Sequence, residues 1–206
     1  MAKAFLASTL VRLRDDLNAR WPNRDRTTDG WIGDASHQAQ VSDHNPDKRT
    51  GVVRALDIDK DGIHIPSVVA SILIHPSTNY AIHAERIYRR ADRFKPRAYT
   101  GSNKHYSHIH DSIMHSSGSE NNKTEFTILK YGTTTWKGKM LRLEMTGWEV
   151  KELQALLNAY GFVLVLDSVF GPATDSAVRQ FQRAMGIEVD GIVGPVTRSK
   201  LTPGLS

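Results

Sequence analysis

The chain has 206 residues, a formal net charge of +5, 39% hydrophobic and 24% charged residues, and no cysteine. That length suffices for one large domain or two small ones, the missing cysteines exclude disulfide staples and thiolate metal sites, and no apolar run is long enough to span a membrane. The excess of positive charge suits a polyanion such as nucleic acid, a membrane surface or an anionic cell wall, although no nucleic-acid motif accompanies it.

Arg12, Arg14, Asp15 and Asp16 interrupt the opening apolar patch too early for a signal-peptide core, so no secretion signal is expected. Phe5, Leu6, Leu10, Val11, Leu13 and Leu17 predict an amphipathic helix over 5–20, ended by Trp21-Pro22. Residues 23–47, with Gly30, Gly33, Asp34, Ser36, Asn45 and Pro46, read as a loop. Residues 51–59 read as one short buried strand built on Val52, Val53, Ala55, Leu56 and Ile58. Asp57 within it would cost several kcal/mol if buried alone; a metal ion or a hydrogen-bonding partner would each satisfy it. Asp57-x-Asp59-x-Asp61-Gly62 matches half of an EF-hand loop, but its twelfth position is Val68 rather than glutamate, so no such calcium site follows.

Val68 to Leu73 has helical spacing, and Tyr80 to Ile87 opens as a strand. Arg86, Arg89, Arg90, Arg93, Lys95 and Arg97 are expected on a solvated basic helix face. His64, His75 and His83 pair with no carboxylate motif and are expected to be structural.

Three histidines then fall within six residues, His105-Tyr106-Ser107-His108-Ile109-His110. In a strand, His108 and His110 share a face, about 7 Å apart. Upstream lies Ser42-Asp43-His44. Together His44, Asp57 and His110 supply the imidazoles and carboxylate of a catalytic zinc, which keeps one position open.

The series Ser42-x-His44, Ala55-x-Asp57, His108-x-His110 resembles the zinc peptidases of the D-alanyl-D-alanine peptidase and hedgehog-like group, over about the first 115 residues. The resemblance implies one zinc ion held by His44, Asp57 and His110. Two departures stand out: Asn45 to Thr50 looks like an inserted loop, and Ser107 occupies the place of a glutamate that is the general base in several members. Histidine-rich members imply that His108 and His105 share proton transfer and oxyanion stabilisation instead, with Ser42 orienting a ligand or the substrate. Asp111, on the opposite strand face, is the weaker candidate.

Residues 116–124 read as a polar linker, and Phe126 to Trp136 as an edge strand or an extension of that linker. Val150, Leu153, Leu156 and Leu157 form one helical stripe and Ala177, Val178, Phe181 and Met185 another, with Gly161 and Gly186 at their ends. Asp167-x-x-Phe170-Gly171-x-x-Thr174 is nearly repeated as Asp190-Gly191-x-Val193-Gly194-x-x-Thr197, each threonine suiting a helix start. This stretch, with Leu153-Gln154, Phe181-Gln182 and Asp190-Gly191, resembles the small three-helix peptidoglycan-binding domain appended to many wall hydrolases.

The expected fold is α+β, a small antiparallel sheet with helices carrying a zinc site, followed by a small all-α domain. The expected division is a zinc peptidase over 1–115, a linker or domain extension over 116–139, and a wall-binding module over 140–206. The resemblances imply a monomeric, zinc-dependent peptidoglycan peptidase that binds no nucleic acid and inserts into no membrane. They further imply a bacteriophage endolysin, made in the host cytoplasm without a signal peptide and acting on the wall after release. A non-catalytic zinc-containing wall-binding protein is the alternative, as is a muramidase or amidase; no paired-carboxylate constellation for glycan cleavage is evident.

Overall fold

The computed structural model describes residues 2–34, 41–131, 136 and 138–204; Ser36 of the predicted loop lies outside them. Phe5–Leu6 (β1) pairs in parallel with Val52–Val53 (β2), and the first helix runs only from Ser8 to Arg20 (α1). The start moves because Phe5 and Ala7 donate their N–H groups to the carbonyls of Gly51 and Val53, a strand pairing that takes these residues out of the helix. Leu10, Leu13 and Leu17 still form its buried stripe. The strand predicted over 51–59 is two, β2 and Ala55–Asp59 (β3), broken at Arg54, whose guanidinium reaches Asp47 and Glu120.

β3, His108–Ile113 (β7), Thr78–His83 (β4), Arg86–Arg89 (β5) and Pro96–Ala98 (β6) lie in that order in one antiparallel sheet. The mixed α+β architecture is therefore the one expected from sequence. The basic stretch is not a helix face: β5, a 3-10 turn over Arg90–Asp92 and β6 carry it. Ile87 and Tyr88 are buried opposite Ile82 and Ala81, and that pairing holds the segment extended.

Ile65–Ile74 (α2) begins with Pro66 in its first turn, and every residue from Ser67 to Ile74 is buried. A helix apolar on all sides needs cover on all sides. β4 covers one side; the helices Thr127–Tyr131 (α4) and Trp148–Ala159 (α5) cover others. The short helix Ser117–Glu120 (α3) precedes them, capped by Ser116 and tied to α1 through Thr9 Oγ1, which donates to the Ser119 carbonyl. Phe126 to Trp136 thus contains a helix where an edge strand was one of two expectations, with Phe126, Ile128, Leu129 and Trp136 buried.

Pro172–Ala184 (α6) and Pro195–Leu201 (α7) complete the C-terminal helices. Here the sequence repeat becomes a repeated hydrogen-bond knot. Gln154 Nε2 donates to Asp167 Oδ1, the Val169 carbonyl and Thr174 Oγ1 at 2.8, 3.0 and 3.2 Å, while its Oε1 accepts from Ser168 N–H. Gln182 does the same with Asp190, Ile192 and Thr197 at 2.7, 2.9 and 3.2 Å, its oxygen accepting from Gly191 N–H. Each buried glutamine closes the loop that starts the next helix.

The C-terminal helices are joined to the sheet domain through one continuous apolar cluster, α5 lying on α2. Asn158 donates to the carbonyl of Phe94 at 3.4 Å, and Leu166 N–H donates to the Arg93 carbonyl. Among the described residues no helix is long and apolar enough to cross a membrane.

His75, just after α2, gives this core a pH dependence. Its ring stacks on Phe126 at 4.2 Å, donates through Nε2 to the Thr124 carbonyl and accepts Ser77 N–H at Nδ1. Burial, aided by Arg90 and Arg12 against the Thr124 bond, pulls its pKa from 6.5 to about 4. The unfolded chain therefore takes up this proton near pH 6.5 while the folded one resists until about 4, so stability falls as pH drops through that window. Denaturant titrations at pH 7 and 4.5 should show a loss of about 2 kcal/mol from this group, absent in His75→Gln. An identical acid response in the variant would assign the loss elsewhere.

Candidate metal centre

The site forms on the sheet face turned away from α2. Antiparallel register places Asp57 of β3 and Ile82 of β4 on either side of His110 of β7, so all three project from one face. His108 lies two residues before His110 and opposite Asp59. Outside β3, Gly30 exchanges both backbone hydrogen bonds with Asp57, N–H to carbonyl at 3.2 and 2.6 Å, fixing the strand edge beneath the carboxylate. His44 arrives on the long loop before β2; its imidazole hydrogen-bonds to the Trp31 backbone, which orients it.

These elements bring His44, Asp57 and His110 together with one donor atom each within 4.8 Å of the others. His110 Nδ1 is 3.0 Å from Asp57 Oδ1 and 3.2 Å from His44 Nε2, which is 3.3 Å from Asp57 Oδ2. Donors about 2.0–2.1 Å from a tetrahedral ion are about 3.3 Å apart, and these separations, with each carboxylate oxygen facing one imidazole, are close to that spacing. Burial opposes the charge on Asp57, yet the hydrogen bonds and charges of His110 and His44 outweigh it and hold the carboxyl well below the usual range. Asp57 in turn outweighs burial at His44 and raises that imidazole. A carboxylate kept ionised between two imidazole rings is what gives the cluster its attraction for a cation.

His105 and His108 stand beside this set, with ring centroids 4.8 Å apart and His105 5.6 Å from His110. Both are buried, and burial lowers both pKa values, that of His105 to about 4 with the neighbouring His110 and His108 contributing. Among the described residues His105 Nδ1 and His108 Nε2 have no hydrogen-bond partner; the latter lies 3.7 Å from Asp57 Oδ1, beyond hydrogen-bond reach. His105 also sits at a φ of +55°, left-handed backbone that a non-glycine residue adopts only under constraint. Ser107 Oγ meets His108 Nδ1 at 3.0 Å, so the serine in the glutamate position contacts a histidine beside the cluster.

A cleft of about 400 Å³ opens over the set, lined by Ser42, Tyr80, Tyr99, Asn103 and His105 together with His44, Asp57 and His110. Ser42 Oγ accepts the His44 N–H at 3.3 Å. Sequence reasoning passed over Asp43 and Tyr80. The Asp43 carboxylate accepts from Tyr80 OH (3.0 Å), Ser112 Oγ (2.5 Å) and His115 Nε2 (2.6 Å), and Tyr80 stacks on His110 at 5.4 Å. Asp43 thereby braces Tyr80 against the face of the His110 imidazole. Only the register Tyr80↔Ser112, invisible in one-dimensional spacing, brings these residues together. Asp111 projects to the other face, wholly buried and without a hydrogen-bond partner among the described residues, where burial pushes it up to about 8.

Comparison with known proteins adds a second line. Residues 146–201 match the family described as "Putative peptidoglycan binding domain". The chain is 41% identical over 73 residues to the zinc D-Ala-D-Ala carboxypeptidase of Streptomyces albus G, covering 34% of this chain and 28% of that one. It is 42% identical over 80 residues to the spore cortex-lytic enzyme of Halalkalibacterium halodurans, covering 37% and 24%. Among solved structures, the endolysin of Burkholderia AP3 phage is 45% identical over 32% of this chain and 26% of that one, with a TM-score of 0.31. The chain thus spans about a quarter of the length of these relatives.

Proposed function

From a chain whose residues 146–201 belong to the peptidoglycan-binding domain family, we propose a metal-dependent peptidoglycan hydrolase that cuts an amide bond in the stem peptide or cross-link of the wall. The observation that carries this reading is the convergence of His44, Asp57 and His110 at the floor of a cleft with room for an extended substrate. We assign them as ligands of one divalent ion, zinc by the chemistry of two imidazoles and a carboxylate. When bound, such an ion supplies Lewis acidity and an activated water.

The chain's own residues do the rest. His105 and His108, neutral and with a free ring nitrogen each, are placed to accept a proton and return it to the leaving amine. Among the described residues no lysine or arginine lines the cleft, so hydrogen-bond donation to a developing oxyanion falls to the imidazoles and to Tyr99 and Asn103. Ser42 orients the His44 segment at the cleft rim. The names of relatives, a D-Ala-D-Ala carboxypeptidase, a cortex-lytic enzyme and an endolysin, agree with a wall polymer as substrate. The lytic role, phage origin and the division into a peptidase over 1–115, an extension over 116–139 and a wall-binding module over 140–206 belong to the same proposal.

Mass spectrometry of purified peptidoglycan digested by the protein tests it. New peptide termini that disappear with chelator and in His110→Ala are expected, and their identity names the bond. Intact stem peptides under metal-replete conditions would leave a wall-binding protein; new reducing ends would indicate glycan cleavage.

A further inference from the structure

The seam between the C-terminal helices and the sheet domain contains a cavity of about 260 Å³, remote in sequence from every residue of the metal centre. Trp148 and Lys151 of α5 form one wall, Arg90 and Phe94 another, and His75 and Thr124 help to close it; among the described residues no carboxylate lines it. Two features mark it as built. The Trp148 indole is 46% exposed, yet its Nε1 donates at 3.1 Å to Glu152 Oε1. Glu152 is wholly buried and also takes Trp136 Nε1 at 2.5 Å and Thr127 Oγ1 at 3.2 Å, so a buried anchor holds a solvent-facing ring in one orientation.

The second feature is uncompensated charge. Lys151 Nζ stands 5.4 Å from the centre of the Trp148 ring, and the Arg90 guanidinium 5.4 Å from that of Phe94. Arg90 is fixed by donating Nε to the Thr78 carbonyl at 2.7 Å and Nη2 to that of Pro76 at 2.6 Å. Among the described residues neither cation has a carboxylate partner within ion-pair distance. Burial and the proximity of Arg90 weaken Lys151 as a base, which is the signature of two like charges sharing a space without a counter-ion.

A flat indole beside two partly desolvated cations matches one ligand chemistry: a sugar ring whose C–H face lies on the indole and whose anionic substituent meets the cations. We propose that the seam cavity binds a pyranose bearing a carboxylate or phosphate, stacked on Trp148 with its anion between Lys151 and Arg90. This rests on the reading of the wall polymer as target and deepens it by naming the unit held, one sugar ring beside the module boundary.

The test titrates the full chain with N-acetylglucosaminyl-N-acetylmuramic acid carrying a free lactyl carboxylate, glucose 1-phosphate, the uncharged N,N′-diacetylchitobiose and inorganic phosphate, followed by calorimetry. The anionic sugars should bind at least about tenfold more tightly than the neutral disaccharide or phosphate alone, as expected for a charge-assisted contact added to stacking. Tighter binding of the carboxylate or of the phosphate sugar tells which wall component supplies the ligand. Lys151→Gln should weaken binding about tenfold at an unchanged melting temperature, Lys151→Arg should retain it, and Trp148→Phe should weaken every sugar but not phosphate. Equal affinity for charged and neutral sugars, or affinity untouched by Lys151→Gln, overturns the proposal, as does phosphate binding alone. If no sugar binds while the chain still sediments with purified peptidoglycan, the seam site falls and the wall reading stands; if it sediments with no wall preparation, both fall.

Discussion

Asp57→Asn should lower wall hydrolysis by more than about a hundredfold and take bound metal to well under one ion per chain, while leaving the protein folded. The size follows from position: loss of a partner that only orients a ligand costs about 10–100-fold, and among the described residues Asp57 is the carboxylate that faces His44 and His110 at once. The amide keeps the shape of the side chain and its place opposite His110 in the register, so the sheet has no reason to rearrange. What it removes is the negative charge that holds His44 up as a base and draws in a cation. Metal content by atomic emission and turnover on purified peptidoglycan read both effects. Full activity with full metal occupancy would exclude Asp57 from the centre, and full occupancy without activity would move its role from ligation to chemistry.

Ending the chain at residue 139 should leave the sheet domain unable to fold cooperatively. The exposed side of α2 would be the side that α5 covers, and Asn158, Tyr160 and Leu166 would take with them their hydrogen bonds to the carbonyl of Phe94, to His64 and to the carbonyl of Arg93. Each fully buried aliphatic side chain contributes about 1.5–3 kcal/mol, so uncovering even three or four of them rivals the whole stability of a small domain, about 5–15 kcal/mol. The full chain should melt in one transition, and the fragment should bind hydrophobic dye and lack one. A fragment that melts sharply near the temperature of the full chain would show that the seam adds little.

The sequence announced the His44–Asp57–His110 cluster better than its support. His44, Asp57 and His110 stood out because ligand chemistry restricts residue type, and alternation along β7 put His108 beside His110. Asp43 and Tyr80 did not, since their meeting depends on which strands are neighbours. The Arg86–Arg97 stretch was misread because charge density says nothing about backbone period, whereas Ile87 and Tyr88 pairing across β4 decides it. The C-terminal repeat was legible as Asp-Gly and Gly-x-x-Thr spacing, but the glutamines that knot each copy were visible only as part of a motif. The clearest overlooked signal was α2: a helix with Ser67 to Ile74 buried throughout needs partners beyond one sheet, and one of them is α5.

That same packing bears on how the molecule would travel. Modules on a loose string let the cutting end sweep a neighbourhood while the anchor stays put. Here α5 is seated on α2, and the anchor has no such freedom. A molecule gripping the wall through its C-terminal helices would reach bonds at one fixed offset and orientation, cut what lies there, and have to let go before cutting again. The pace of the proposed wall hydrolysis would then follow the lifetime of the grip, so a tighter anchor would mean slower turnover.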